Sequence, residues 1–198
     1  MNLQLEDAHV DFYPDFFSGK ESNEFLLTLM KKIQWKGECI QMFGKTIPVP
    51  RLVAWYGDDC ASYTYSNIQH KPHSWQKCRC LLGIKKRVEA AAKTAFNGVL
   101  LNWYRNGQDS MSWHSDDEPE LGNHPVIGSV SFGATRRFQF KHKKNPNLRQ
   151  SIDLTNGSLL IMSGATQHHW LHQVPKTKKN MTDRINLTFR FIYPNKKK

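Results

Sequence analysis

The sequence carries an H-x-D pair, His114 and Asp116, which an extended chain presents side by side on one face. An imidazole beside a carboxylate is most of the two-histidine, one-carboxylate set that holds non-haem Fe(II) on one face of its octahedron, with the opposite positions open. A second histidine is then required, and His168, His169 and His172 lie downstream in the strand-like stretch His168-His-Trp-Leu-His-Gln-Val174. Alone, the pair is a weak motif that a surface contact or a capped turn also produces. Near the C-terminus Ile185, Leu187, Phe189 and Phe191 alternate with Arg184, Asn186, Thr188 and Arg190. Such a strand has one apolar and one polar face. Its two arginines either meet water at an edge or line an interior and grip a carboxylate through paired N–H bonds. Asn102 and Tyr104, also two apart, share a strand face.

The elements that must position these groups fall into two halves. Ser18 with Glu21 fits a capping box, and Phe25, Leu26, Leu29, Met30 and Ile33 repeat at helical spacing. This predicts an amphipathic helix of about four turns. Residues 39–66, with Pro48, Pro50, Trp55-Tyr56-Gly57-Asp58 and Tyr63-Thr-Tyr-Ser66, predict short extended pieces and turns. A second helix is expected from Ser74, with Leu81, Ile84, Val88, Ala91, Ala92 and Ala95 on one face. From Asn97 onward the pattern predicts strands at Val99–Tyr104, Val126–Phe132, Arg136–His142, Gly157–Met162, His168–Val174 and Arg184–Tyr193. Helices followed by a run of strands argue for an α+β fold built on an antiparallel sandwich or barrel.

A chain of 198 residues is long enough for one domain with a full core, and 39% hydrophobic with 12% aromatic content excludes a disordered tail. No apolar run approaches the roughly 20 residues needed to cross a bilayer, so no membrane partner is expected. Twenty-eight Lys and Arg against 17 Asp and Glu leave a charge of +11, which favours a polyanionic partner. The N-terminal MNLQLEDAHVDFYP has no basic leader before an apolar core, so the chain is read as not secreted. Cys39, Cys60, Cys78 and Cys80 include no second C-x-x-C and no Cys/His knuckle, and are read as free thiols in or near the core rather than zinc ligands.

Taken in order, Asn102-x-Tyr104, His114-x-Asp116-Asp117-Glu118, Ser129-Val-Ser-Phe-Gly133, His172-x-x-Pro175 and Arg184-x-Asn186-Leu-Thr-Phe-Arg190 resemble the AlkB family of Fe(II)- and 2-oxoglutarate-dependent dioxygenases. Met42-Phe43-Gly44-Lys45, Pro48-x-Pro50-Arg51, Tyr56-Gly57-Asp58 and Tyr63-Thr-Tyr-Ser66 are similar to the branch that repairs alkylated bases in duplex DNA. The resemblance spans about residues 40–193. It implies a single dioxygenase domain over 1–198, with helices and a nucleotide-recognition lid over about 1–96. A double-stranded β-helix (jelly-roll) core would occupy about 97–193. His114, Asp116 and His172 would ligate iron, His172 being chosen because it precedes Gln-Val-Pro. His168 and His169 would then be packing or DNA-side residues. Arg184 would hold the 2-oxoglutarate carboxylate near the metal and Arg190 the distal one, with Asn102 and Tyr104 adding hydrogen bonds. Dioxygen completes the cofactor set.

The implied activity is DNA repair by oxidative demethylation of bases such as 1-methyladenine and 3-methylcytosine, with release of formaldehyde, succinate and CO2. Reaching such a base in a duplex requires flipping it, which is least costly for a lesion that pairs badly. Phe43, with Met42 beside it, is similar to that branch's wedge residue; alternatively Phe43 packs under the sheet. Tyr65, Tyr63, Asp117 and Glu118 would form the base pocket. Arg51, Arg136, Lys141, Lys143 and Lys144 would contact DNA, although the short segment 145–150 departs from the branch. The expected partner is alkylated, double-stranded DNA and the expected state a monomer, in the cytoplasm of a prokaryote or the nucleus of a eukaryote. The alternatives are an RNA demethylase of the same family and a non-catalytic basic module that binds nucleic acid.

Overall fold

The first helix, α1 (Gly19–Lys32), starts at a closed capping box: the Ser18 side chain accepts the Glu21 amide and the Glu21 carboxylate accepts the Ser18 amide. The computed structural model describes residues 1–42, 45–61, 63–65 and 68–194. The second helix begins later than its periodicity suggested. A 3-10 turn at Trp75–Cys78 caps on Ser74, and α2 (Cys80–Ala92) follows with Leu81, Ile84 and Val88 buried. Lys93 adopts the left-handed conformation that ends this helix, so Ala95 lies beyond it and is exposed. Arg87 ties the two helices together, donating to Glu21 Oε1 (2.9 Å) and to the Phe16 carbonyl (2.7 Å).

The larger sheet runs in spatial order β1 (Asn2–Leu3), β2 (His9–Tyr13), β13 (Ser158–Ser163), β10 (Ile127–Gly133), β15 (Arg184–Arg190), β8 (Gly98–Tyr104), β4 (Lys45–Gly57) and β3 (Lys36–Met42). A two-residue strand, β7 (His73–Ser74), joins β4 in parallel. The smaller sheet runs β12 (Arg149–Leu154), β11 (Arg136–His142), β14 (Trp170–Val174) and β9 (Met111–His114), and β5 (Tyr63–Tyr65) pairs with β6 (Ile68–His70) in a separate hairpin. The result is the expected antiparallel jelly-roll core with helices packed on the larger sheet. Among the described residues no helix is long and apolar enough to cross a membrane.

Instead of short pieces, β4 is a 13-residue strand that runs through Pro48 and Pro50. Both prolines lie where β4 pairs only with β3, and pairing with β8 begins at Leu52, so the missing amide donors break no ladder on that side. The expected strand from His168 is also shortened. Thr166–His169 form a helical turn, α3, after Gly164 reverses the chain at φ 58° and the Thr166 hydroxyl donates to the Ser163 carbonyl.

The position of β15 explains its alternating sequence. Ile185, Leu187 and Phe189 face the helices in a cluster with Val88, Leu101 and Val130, while Arg184, Asn186, Thr188 and Arg190 face the gap between the sheets. All seven residues are buried, so the polar face is an interior one and not a wet edge. Leu187 is fully enclosed. Leu187→Ala should therefore cost about 2–5 kcal/mol, read as a lower urea midpoint with an unchanged slope.

Candidate active site

The register between the sheets assembles the site. His114 ends β9 directly opposite His172 on β14, with ring centroids 4.2 Å apart. Asp116, two residues beyond the strand, is held by its own amide, which donates to Gln167 Oε1 on the α3 turn (2.9 Å). One carboxylate oxygen lies 3.8 Å from His172 Nε2 and the other accepts a short hydrogen bond from Arg190. One ligand atom from each of His114, Asp116 and His172 lies within 4.8 Å of the others. His114 Nδ1 lies 2.9 Å from the Ser112 carbonyl, a contact that puts the proton on Nδ1 and leaves Nε2 with its lone pair. Phe138 stacks on His172 at 5.3 Å and fixes its plane.

The electrostatics suit a cation between these groups. Burial alone would raise the Asp116 pKa, but the positive charge of Arg190, followed by the two imidazoles, holds the carboxyl below its ordinary range. Burial, aided by His114, lowers His172 to about 3 and keeps its ring neutral. Three ligands on one side and a cavity on the other match the facial set of Fe(II) sites.

A second trio, Asp7, His142 and His169, also brings candidate atoms together, but does not fit a metal. His142 Nδ1 accepts the amides of Lys144 (3.2 Å) and Asn145 (3.0 Å), so the neutral ring carries its proton on Nε2. It has no lone pair left to offer.

Two adjoining cavities share Leu100, Met111, His114, Asp116 and Arg190. The inner one reaches Asn102, Tyr104, Ser129 and Arg184. Arg184 is 1% exposed; it donates to Ser131 Oγ (2.9 Å) and lies over the Tyr104 ring at 5.0 Å. Its Nε and Nη1 have no hydrogen-bond partner among the described residues, and burial lowers its pKa to about 10. A buried guanidinium with open donors costs several kcal/mol unless an anion meets it. A dicarboxylate such as 2-oxoglutarate, reaching from the trio to Arg184, fits that demand.

The two arginines exchange the ends expected of them. Arg190 touches Asp116, whereas Arg184 sits six residues back along β15 beside Ser131 and Tyr104. The direction of β15 across the trio decides this, and it follows from the pairing of β15 with β8 and β10.

The outer cavity is lined by Glu38, Arg51, Val53, Trp55 and Glu118. Glu118 therefore stands where a substrate base would enter. Asp117 is engaged otherwise, accepting from Ser115 Oγ (2.8 Å) and Lys143 Nζ (2.9 Å), and these bonds overcome its burial to lower its pKa. Of Tyr63 and Tyr65 only the backbone is described, in the β5–β6 hairpin. Met42 pairs by its backbone with Lys45, and Phe43 lies outside the described residues.

Two of the expected DNA contacts are corrected. Arg51 is 5% exposed, donating to Asn102 Oδ1 (2.7 Å) and the Ser110 carbonyl (3.2 Å), so it is a wall of the site and occupies the oxygen of Asn102. Arg136 is 3% exposed and donates to the carbonyls of Asn106, Asp109 and Pro175. It shares the inward face of β11 with Phe138 and Phe140. Lys141 lies 4.5 Å over the Trp113 ring, Lys143 is bonded to Asp117 and the Gln167 carbonyl, and Lys144 is exposed. Gln167, which positions Asp116, has no signal in the sequence, and Ser131, which meets Arg184, stands there only as part of the Ser129–Gly133 motif with no role attached. No spacing motif links them to their partners.

The loop that Arg136 braces predicts a pH effect. Burial works against the Asp109 carboxylate, but hydrogen bonds from the Arg105 side chain and amide, with Arg136 beside them, hold its pKa below the ordinary value. Its stabilisation is therefore complete above the unfolded value of about 4 and is lost as pH falls through the folded one. Thermal melts of Asp109→Asn should fall less steeply than those of the parent as pH drops below about 4.

A family model described as 2OG-Fe(II) oxygenase superfamily matches residues 9–190. The chain is 44% identical over 197 residues to alpha-ketoglutarate-dependent dioxygenase alkB homolog 3 of Mus musculus, covering 95% of this chain and 68% of that protein. It is 39% identical over 206 residues to DNA oxidative demethylase ALKBH2 of Bos taurus, covering 99% of this chain and 73% of that protein. The solved structure of OsALKBH1 superposes with a TM-score of 0.60 at 16% identity, over 91% of this chain and 97% of that one, a likeness of fold.

Proposed function

We propose, from the premise that this chain belongs to the 2OG-Fe(II) oxygenase superfamily and within it to the AlkB family, that it removes methyl groups from base nitrogens of damaged duplex DNA. The observation that carries the reading is the His114–Asp116–His172 trio at the junction of two cavities, one ending at the open donors of Arg184 and the other lined by Arg51, Trp55 and Glu118.

His114, Asp116 and His172 would hold Fe(II), with Arg190 beside the metal-binding end of 2-oxoglutarate and Arg184 on its distal carboxylate. Bound there with dioxygen, iron and cosubstrate would supply the two-electron oxidation of an N-methyl carbon, with formaldehyde, succinate and CO2 as the expected products. The chain's own residues position and exclude. Arg190 keeps Asp116 ionised and aimed, and Phe138 holds the His172 plane. Leu100, Met111 and Trp55 keep the cavity walls apolar, so that an oxidant meets substrate and not water. Glu118 is placed to accept a hydrogen bond from a base's exocyclic amino group.

The net charge of +11 supports a nucleic-acid partner, and the exposed Lys144 with the β3–β4 hairpin supports a duplex grip. The test is mass spectrometry of oligonucleotides bearing one 1-methyladenine, as duplex DNA, single-stranded DNA and RNA, incubated with the protein, Fe(II), ascorbate and 2-oxoglutarate. The expected result is loss of one methyl mass from the duplex, and only with both cofactors present. Succinate without any change in the three oligonucleotides would reject the substrate assignment, and no succinate would reject the dioxygenase reading.

A further inference from the structure

Cys78 and Cys80 lie on the helix side of the larger sheet, away from the trio between the sheets, and the mechanism above uses neither. Their sulfurs are 3.2 Å apart at the junction of the 3-10 turn with α2. Residues two apart on a helical turn have Cα atoms roughly 5.5 Å apart, inside the range that a disulfide spans. Cys78 is buried against the core, while Cys80 reaches the surface in part. By contrast, Cys39 and Cys60 are exposed.

We propose that Cys78 and Cys80 form a redox-active dithiol whose substrate is hydrogen peroxide, with Cys78 as the attacking sulfur and Cys80 as the resolving one. The site is built for that division. The two sulfurs share a hydrogen bond, the amides of Leu81 and Cys80 at the start of α2 also stabilise the Cys78 sulfur as a thiolate, and the Lys32 ammonium lies nearby. Against its burial these lower Cys78 to about 7, whereas the proton shared with Cys78 raises Cys80. The same pair adds to the burial that raises the pKa of Tyr56 on β4.

In the first step the Cys78 thiolate attacks one peroxide oxygen, the O–O bond breaks, and the departing hydroxide takes a proton to become water. Cys78 is left as a sulfenic acid. In the second, the Cys80 sulfur attacks that of Cys78, the S–O bond breaks, and a second water leaves as the Cys80 proton passes to the hydroxyl. Two thiols lose two electrons and one peroxide gains them.

The full chain, freed of iron with EDTA so that peroxide is not consumed at the metal, is treated with graded hydrogen peroxide, alkylated and digested. The expected product is a peptide containing Cys78 and Cys80 that is lighter by about 2 Da than its dithiol form and reverts with dithiothreitol. It should form at peroxide concentrations that leave Cys39 and Cys60 open to alkylation. In Cys80→Ser, whose melt checks the fold, dimedone should trap Cys78 as the sulfenic acid. In Cys78→Ser no disulfide can form within the pair, and the loss of about 2 Da should disappear. Cys39 and Cys60 oxidising while Cys78 and Cys80 stay reduced would overturn the proposal, as would disulfides that join two chains.

Discussion

His172→Ala is expected to end succinate and formaldehyde release while leaving anisotropy-measured binding to duplex DNA within about twofold of the parent. The contrast follows from where His172 lies. It is 3% exposed beneath Phe138, facing His114 across the β14–β9 pair, and reaches no surface that a phosphate could touch. Groups that merely orient a metal's ligands cost 10–100-fold when removed. Loss of a ligand should therefore exceed about 100-fold in kcat/KM. The fold should survive, because a neutral ring is removed and no charge is left unpaired by its loss; Asp116 keeps Arg190. If turnover persists in the variant, the third ligand is another group. His168 and His169 are poor substitutes, since their rings pack on His124 and His142.

The candidate trio was legible because strand periodicity pairs His114 with Asp116 and the family resemblance points to His172, and the structure brings the three residues together. The alternation along β11 was equally legible, yet it went unused. Arg136 has the parity of Phe138 and Phe140 and turns inward, whereas Lys141 has the parity of Gln139 and turns outward. By that rule Arg136 and Lys141 cannot both face a phosphate backbone. Other features had no local signal. Which end of β15 meets the trio depends on pairings with β8 and β10, and Arg51 enters the site only because β4 crosses beside β8 at Asn102. Likewise, all four cysteines are free thiols as expected, but the placement in or near the core suits Cys78 and not Cys39 and Cys60, which are exposed. Neither of those two residues has a neighbouring pattern that would have told them apart.

Arg184→Met is expected to move stability and activity in opposite directions. In the protein without cosubstrate, Arg184 is a charge 1% exposed, with Nε and Nη1 lacking hydrogen-bond partners among the described residues. Replacing a buried charge that keeps open donors by an apolar chain of similar length removes its desolvation cost, so the cosubstrate-free variant should melt no lower than the parent. Its cosubstrate affinity should collapse. Truncating one partner of a buried, hydrogen-bonded charge pair costs about 2–5 kcal/mol, which is roughly 30-fold to several-thousand-fold in the 2-oxoglutarate Kd. Melts with added 2-oxoglutarate separate the two effects: the parent should gain stability with ligand concentration, and the variant should not. Arg184→Lys should restore only part of the affinity, because an ammonium offers a point charge in place of the planar fork. A variant that melts well below the parent yet binds 2-oxoglutarate normally would make Arg184 a structural residue, and would leave Arg190 alone to hold the cosubstrate.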